Sequence, residues 1–562
     1  MSVKDNKDKS EKGLKKLRKR LTIMFMLVTV ILICLIGRLC YIQIIKGNDL
    51  RQMAVKQWSE TVSIVDKRGK IYDRNYIPLT SRVKEDYIII HPSIKLNDKV
   101  LNLLSISTKL DVETLKKVLS KKDRYKKLLI KYYDIDILRE LLSMGIQTVE
   151  ITKRYDGSRL ASHVIGYIKE SENAGMSGLE KYFDTELTKD RGIVISAVKD
   201  AKNRIIPGFG YAVYKGNDNK KENIVTTIDY NIQKISEKEF DKYNFDGSVV
   251  VLDSKSGDIL AMVSRPNFDP DNVANYLNSN NMELYNKAVQ ISFPPGSIFK
   301  IIVAAAAIEK KLVDMQQNFY CKGYEKLGKD IIIKCHSYEK GGHGNLNLKQ
   351  AFAASCNSVF IQIGQILGGE EILNMAKKFG LGKKTGIKID KETEGVLPTE
   401  DYVKGAGIGN ISIGQGCLEV TPLQVAKFTN IIANNGIDVG VRLVKEVISD
   451  NGKVKKKFKK DSINRVISSD TAQKIKDMMI QTVKEGTGRA AKMDDIEVAG
   501  KTGSAETVVR GQKTVHAWFT GFFDGKKSRY VITIIAERKG SGGKFAAPIF
   551  KNIAKRLIEM GY

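Results

Sequence analysis

The sequence predicts an α+β protein with one transmembrane helix, and three observations predict it. A basic block is followed by a long apolar run near the amino-terminus. Apolar strands suited to the inside of a sheet occur twice, at residues 247–263 and again at residues 498–536. A largely helical stretch lies between them. A sheet assembled from both ends of a domain around a helical insert is an α+β arrangement. The expected carboxy-terminal domain is a mainly antiparallel sheet packed by helices, with a helical subdomain.

The amino-terminus sets the location. Residues 1–20 carry nine Lys or Arg against three Asp or Glu. Leu21 to Gly37 is uncharged and mostly apolar, and the run continues past Arg38 to Ile45. With Arg38 snorkelling to the interface, the segment reaches the ~20 residues a span needs. No small-residue cleavage site follows, so residues 21–45 are expected as a retained signal anchor. The basic tail, residues 1–20, then stays in the cytoplasm and the chain from about residue 46 lies outside.

The net charge is +29, from 93 basic and 64 acidic residues in 562. Such a balance implies anionic surroundings. The lysine runs are scattered and no nucleic-acid motif accompanies them, so nucleic acid is not an expected partner and an anionic cell wall is. Six cysteines, of which Cys34 and Cys40 fall in the membrane segment, are too few for a disulfide scaffold in an exported chain.

Outside the membrane, residues 46–60 read as a helical stalk. Val62 to Val65 alternates like a strand, and Arg68-Gly69 marks a turn or bulge. The charged residues from Asp66 to Arg74 are expected to form buried ion pairs that hold a non-catalytic domain together. Residues 85–150 combine a short strand, Tyr87 to Ile90, with amphipathic helices at Val112–Leu119 and Ile135–Leu142. His163 sits among apolar residues and is expected as a structural hydrogen-bonder. Residues 190–224 read as hairpins leading to a linker, which puts the boundary between domains at 46–224 and 225–562.

From residue 225 the texture changes. Thr226-Thr227-Ile228-Asp229 opens an amphipathic helix at 230–242. Gly247–Asp253 and Ile259–Val263 make a hairpin around the turn 254–258. Phe293-Pro294-Pro295-Gly296-Ser297-Ile298-Phe299-Lys300 then runs into the apolar segment Ile301–Ile308, which reads as a turn opening a buried helix. Positions three apart share a helix face, so Ser297 and Lys300 stand side by side at its first turn. A serine is a weak nucleophile until a neighbour takes its proton, and a desolvated lysine with a lowered pKa does that. Val498–Thr502, Ala517–Phe523 and Tyr530–Ala536 supply further strands, and Ala547–Met560 a closing helix.

A second cluster lies beside the first. Cys321, Cys335, His336 and His343 make a four-ligand set suited to tetrahedral zinc if the chain turns near Gly328, which would place the two cysteines opposite each other. Asp330 is a substitute ligand, though a regular hairpin sets it several residues from the cysteine pair. A disulfide between Cys321 and Cys335, or free thiols, are the competing readings. A metal here would be structural, since serine chemistry requires no cofactor. Cys356 and Cys417 are expected as small buried residues.

Two further motifs, Ser355-Cys356-Asn357 and Lys501-Thr502-Gly503-Ser504, follow in order. Ser-x-x-Lys, Ser-x-Asn and Lys-Thr-Gly in this sequence resemble the penicilloyl-serine transferases. The likeness extends to Arg68-Gly69-x-Ile71-x-Asp73-Arg74, Ala161-Ser162-His163-Val164-Ile165-Gly166, Gly178-Leu179-Glu180, Gly414-Gln415-Gly416 and Gly486-Thr487-Gly488. The chain as a whole resembles a class B penicillin-binding protein, a monofunctional D,D-transpeptidase of peptidoglycan synthesis. Asp156 after Tyr155, where Pro is usual, and Ser504, where Thr is commoner, are its departures.

The resemblance implies an elongated amino-terminal pedestal or dimerisation domain and a bacterial cytoplasmic-membrane location. It implies that Ser297 attacks a D-Ala-D-Ala stem peptide, with Lys300 as base and Ser355 relaying a proton to the leaving amine. Asn357 would hold the substrate amide and Lys300, and Lys501 would supply positive charge. Thr502 and Ser504 would bind the substrate carboxylate beside Gly503, and the N–H groups of Ser297 and Ser504 would form the oxyanion hole. The implied partners are peptidoglycan stem peptides, β-lactam antibiotics, the membrane, a membrane glycan polymerase and other cell-wall synthesis proteins. A D,D-carboxypeptidase or β-lactamase-like hydrolase shares the motifs, and so does a non-catalytic β-lactam sensor. The anchor and pedestal favour the transpeptidase, and a sensor would be expected to add further membrane or signalling segments. A role in elongation, division or sporulation is not readable from these residues.

Overall fold

The computed structural model describes residues 3–47, 50, 59–65, 68–90, 94, 96–120, 126–188, 193–198, 211–215, 222–328, 331–460, 463–509 and 511–562. Most of the expected stalk at 46–60 lies outside the described residues, and so does Asp330. The amino-terminal helix runs Val3–Cys40 and passes into a π-helical turn at Tyr41–Ile45. Within it, Lys19–Ile44 is long and apolar enough to cross a membrane.

The chain divides into two compact units. One comprises Met1–Val65, Asp86–Val149 and Arg191–Gly216. Its strands include Ser59–Val65, which pairs antiparallel with Ile193–Val198, and that strand pairs in turn with Tyr211–Lys215. Its helices Asp98–Thr108, Val112–Leu119 and Ile135–Ser143 are each capped by a side chain, from Asn97, Asp111 and Asp134. The carboxamide or carboxylate accepts from otherwise unpaired N–H groups of the first turn. The helices bury Leu104, Leu115 and Leu141 against Ile88 and Ile90 of strand Val83–Ile90. Period-3.6 apolar spacing had marked two of these helices, and both form within a residue of the expected bounds.

The other unit comprises Asp66–Glu85, Glu150–Asp190 and Asn217–Tyr562. At its centre is a five-stranded sheet in the order Ile259–Arg265, Gly247–Asp253, Arg529–Ala536, Gln512–Asp524, Val498–Val509. Every neighbouring pair in it is antiparallel. Side chains alternate across a strand, so Val249 and Val251 enter one core while Val250 and Leu252 enter the other. The first face is covered by helices Tyr230–Asp241 and Gly542–Glu559. The second is covered by Lys300–Glu309, Pro422–Ala433 and Ser469–Lys484. A sheet buried on both faces explains why its strands read as continuous apolar runs. The helical subdomain includes Leu348–Ala353, Asn357–Leu367, Gly369–Lys378 and Gly407–Ser412.

Of the residues expected to form ion pairs, Arg68 does so, and Asp66 and Lys67 lie outside the described residues. Arg68 Nε lies 3.0 Å from Glu180 and its Nη2 lies 2.8 Å from Asp184. Glu180 also accepts from Arg154 Nε at 2.6 Å. Gly69 is obligatory beside Arg68, because a Cβ there would fall 1.8 Å from the Glu222 carbonyl oxygen. His163 Nε2 donates to the Glu283 carbonyl at 2.6 Å, and burial pushes its pKa down to about 3, so the ring is a neutral structural donor.

Candidate active site

Ser297 does not sit in an α-helix. Gly296–Phe299 is a 3-10 turn, and the α-helix Lys300–Glu309 begins only afterwards. Pro294 and Pro295 withhold two N–H groups, and Gly296 takes φ +55°, which tightens the start. In a 3-10 turn residues i and i+3 eclipse, so Ser297 and Lys300 still share a face. Among the described residues the Ser297 hydroxyl makes no hydrogen bond, and it is half-buried.

Lys300 is fully buried. Its Nζ donates to the Ser355 carbonyl at 2.7 Å and to Asn357 Oδ1 at 2.8 Å, and lies 3.4 Å from Ser355 Oγ. Burial lowers its pKa to about 8, against the opposing pull of the Cys356 and Cys335 thiols. Ser355 links helices Leu348–Ala353 and Asn357–Leu367 with φ +55°, a left-handed conformation that costs a non-glycine residue about 1–2 kcal/mol. That bend turns both its carbonyl and its hydroxyl toward the two lysines.

Lys501 completes the group from the sheet's edge strand. Its Nζ, also fully buried, donates to Ser355 Oγ at 3.0 Å. Burial, and secondarily the charge of Lys300, pushes its pKa well down. Two ammonium groups do not both carry charge readily in so dry a space. Next along the strand, Thr502 Oγ1 lies 2.6 Å from Thr487 Oγ1, and the exposed Ser504 accepts from the Gly542 N–H at 3.3 Å. The strand lies directly against the Ser297 turn. A Cβ on Gly296 would fall 2.9 Å from the Ser504 carbonyl oxygen, and one on Gly503 would fall 3.0 Å from that of Pro295.

Ser297, Lys300, Ser355, Asn357 and Lys501 are therefore brought to one place, with Thr502, Gly503 and Ser504 along its wall. Two residues there had no assigned role. Thr487 belongs to a short motif whose position alone said nothing of Thr502. Gly414, at φ +73°, accepts from the Gly296 N–H at 2.8 Å, and a Cβ on it would fall 2.1 Å from the Gly296 carbonyl oxygen.

The thiol cluster differs from its expected form. The hairpin pairs Tyr324 with Lys334 and Leu327 with Ile331, so its centre lies one residue beyond Gly328. Cys335 thus faces Gly323, its N–H bonding that carbonyl at 2.7 Å, while Cys321 pairs with Gly344 in a separate ladder. The two cysteines still converge. Donor atoms of Cys321, Cys335, His343 and Cys356 all lie within 4.8 Å of one another. His336 stands outside that set, with its Nδ1 3.9 Å from Cys335 Sγ. Cys356 is buried as expected but presents its sulfur to the cluster, 3.9 Å from Cys335 Sγ. Their hydrogen bond makes Cys335 the more acidic thiol and Cys356 the less. Cys417 is exposed rather than buried, because Gly414 and Gly416 both take positive φ and turn the loop outward.

The penicillin-binding protein transpeptidase domain matches residues 247–555, and the penicillin-binding protein dimerisation domain matches residues 63–218. Stage V sporulation protein D of Bacillus subtilis is 31% identical over 97% of this chain and 86% of its own length. Peptidoglycan D,D-transpeptidase MrdA of Acinetobacter baumannii is 26% identical over 94% of this chain and 86% of its own. The crystal structure of penicillin binding protein 3 from Mycobacterium tuberculosis complexed with ampicillin superposes with a TM-score of 0.66 at 25% identity, covering 89% of this chain and 96% of that one. With both of its domains matched and its motifs gathered in one site, the chain belongs to the penicillin-binding protein transpeptidase family, as a class B penicillin-binding protein.

Proposed function

We propose that this chain is a peptidoglycan D,D-transpeptidase working through an acyl-enzyme on Ser297. The observation that carries the reading is the closed hydrogen-bond set of Lys300, Ser355, Asn357 and Lys501 beside the Ser297 turn. Neutral Lys300 takes the Ser297 proton, and Oγ attacks the carbonyl carbon of the penultimate D-Ala. The oxyanion is met by the N–H groups of Ser297 and Ser504. Ser355 passes a proton to the departing D-Ala amine, which breaks the peptide bond and leaves the acyl ester. The substrate carboxylate, held by Thr502 and Ser504, stabilises positive charge on Lys501 when it arrives. The amine of a second stem peptide then attacks the ester, forming the cross-link and releasing Ser297. A β-lactam takes the first half of this path and stops at the ester.

In this reading residues 1–20 are the cytoplasmic tail, 21–45 the anchor, 46–224 the pedestal and 225–562 the transpeptidase domain outside the membrane. A membrane glycan polymerase is the expected partner. Labelling with a fluorescent penicillin tests the reading: wild type gains one acyl group that persists, and Ser297→Ala gains none. Labelling of Ser297→Ala would overturn the nucleophile. Rapid loss of the label from wild type would favour a hydrolase.

The cluster of Cys321, Cys335, His343 and Cys356 supports a second reading, a structural zinc site. With Zn–S of about 2.3 Å, a tetrahedral ion sets donor separations of about 3.8 Å. Three of the six separations are 3.5 Å (Cys321 Sγ to His343 Nδ1), 3.7 Å (Cys335 Sγ to His343 Nδ1) and 3.9 Å (Cys335 to Cys356), and all six lie within 4.8 Å. Thiolate and imidazole donors are the types zinc favours, so these residues fit the ion. It would brace the segment that carries Ser355 and Asn357. Metal analysis of protein purified without chelator tests this, with about one zinc per chain expected and none overturning it.

A further inference from the structure

The nucleophile's approach is unusual in how little holds it. Phe293 is bridged to Val420 by two backbone hydrogen bonds of 2.9 Å, and Gly296 donates to Gly414 at 2.8 Å. Between those points Pro294 and Pro295 have no N–H to give. A bond from the sheet spans that gap: Trp518 Nε1 donates to the Pro294 carbonyl at 3.0 Å. Trp518 is wholly buried, and its ring meets Phe293 edge-on at 6.2 Å.

Trp518 is also placed with respect to the motif strand. In the antiparallel ladder it stands directly across from Gly503. A Cβ on Gly503 would lie 3.0 Å from Trp518 Cβ, 3.0 Å from the Pro295 carbonyl oxygen and 3.1 Å from Ile298 Cγ2. Those three atoms belong to the base of the Trp518 side chain, the proline arm and the Ser297 turn. The missing side chain of Gly503 is thus the space in which the arm closes on the strand, bounded by Trp518 Cβ, while the indole of the same residue reaches on to hold the Pro294 carbonyl.

We propose that Trp518 is a positioning residue for acylation, fixing the Pro294–Ser297 arm against Gly503–Ser504 so that Ser297 Oγ and the Ser504 N–H address the same carbonyl. This rests on the reading of Ser297 as nucleophile. A shift of a few tenths of an ångström between nucleophile and oxyanion donors slows bond formation without altering recognition of the ligand. The Lys-Thr-Gly glycine, in this account, is required as much by the Pro295 carbonyl and Trp518 Cβ packed on it as by the substrate in front.

The experiment separates rapid non-covalent binding of penicillin from its acylation rate constant. Trp518→Phe keeps an aromatic ring and removes the donor. Its acylation rate constant is expected to fall about tenfold, with the dissociation constant of the initial complex and the thermal midpoint unchanged. Gly503→Ala intrudes on the same space, and the double variant is expected to be no slower than the slower single one. Wild-type acylation by Trp518→Phe overturns the proposal, and so do additive losses in the double variant. If Trp518→Phe does not fold, Trp518→Tyr, which also lacks the indole N–H, takes its place: an unchanged rate constant overturns the proposal and a lowered one at unchanged midpoint supports it. Failure of the underlying reading is distinguishable, since wild type would then go unlabelled or Ser297→Ala would label.

Discussion

Lys300 Nζ, on a fully buried side chain, and Asn357 Oδ1, on a partly buried one, are 2.8 Å apart. The carboxamide accepts from the lysine in either of its charge states, and being neutral it does not anchor the ammonium as a carboxylate would. Burial is then free to hold the Lys300 pKa down at about 8.

Acylation by penicillin should accordingly depend on pH in one direction. The active form of a base is the neutral one, and its fraction rises with pH until it saturates. The acylation rate constant is expected to climb tenfold per unit at low pH and level off above about 8. Stopped-flow labelling across pH 5–10 checks this, and a flat profile would exclude Lys300 as the titrating base.

Asn357→Asp should move that profile. A carboxylate at hydrogen-bond distance favours the charged lysine, so the midpoint moves upward and the rate at pH 7 falls roughly tenfold. Rates of the variant and wild type should converge toward high pH. A uniform loss at every pH would mean that Asn357 acts only through the substrate amide.

Gly414→Ala should disable the site from outside its motifs. The new Cβ would lie 2.1 Å from the Gly296 carbonyl oxygen at a backbone angle of φ +73°. The expected cost is about 1–3 kcal/mol of stability together with loss of penicillin labelling in the folded fraction. Denaturant melts and gel labelling read the two effects separately.

Glu180→Ala should do the opposite, lowering stability while sparing the chemistry. It would strip the carboxylate from the buried Arg68 and from Arg154. Arg68 would keep Asp184, but Arg154 would lose its carboxylate partner, and breaking a buried ion pair costs about 3–5 kcal/mol. The unfolding midpoint should drop, while protein that remains folded labels at the wild-type rate.

Acid should destabilise the fold through His163. Its pKa is lowered from 6.5 to about 3, so the unfolded chain binds a proton that the folded chain refuses between those values. Stability attributable to this ring is complete above about 6.5 and is lost as pH falls toward 3, by about 1.4 kcal/mol per pH unit. His163→Gln should flatten the slope of stability against pH over that window.

Much of this was legible in the residues, for reasons that also mark the limit. The Gly247–Arg265 hairpin and the late strands announce themselves because both faces of the sheet are buried. The Ser297 and Ser355 motifs stood out because each sets a reactive side chain at a break between elements, and the Lys501 motif because an apolar stretch of strand leads into it. Ser297's 3-10 turn was harder, since 3-10 and α-helical first turns share the i, i+3 face. Contacts between distant segments were not readable at all. Nothing in Cys356 signals that its sulfur meets Cys335, and nothing in Trp518 signals that its indole reaches Pro294, because such pairings are set by packing rather than by neighbours.

The order of strands in the catalytic sheet carries a consequence for how the protein matures. Gly247–Asp253 lies between Ile259–Arg265, its sequence neighbour, and Arg529–Ala536. The edge strand with Lys501 begins roughly 230 residues after Ile259–Arg265 ends, and closing loops of that length slows folding. As the chain is made, an apolar two-stranded ribbon must wait with one edge unpaired until almost the last segment arrives. Nascent chains of this protein should therefore be aggregation-prone until about residue 536 is available. Truncations ending before that strand should be degraded rather than accumulate as inactive domains.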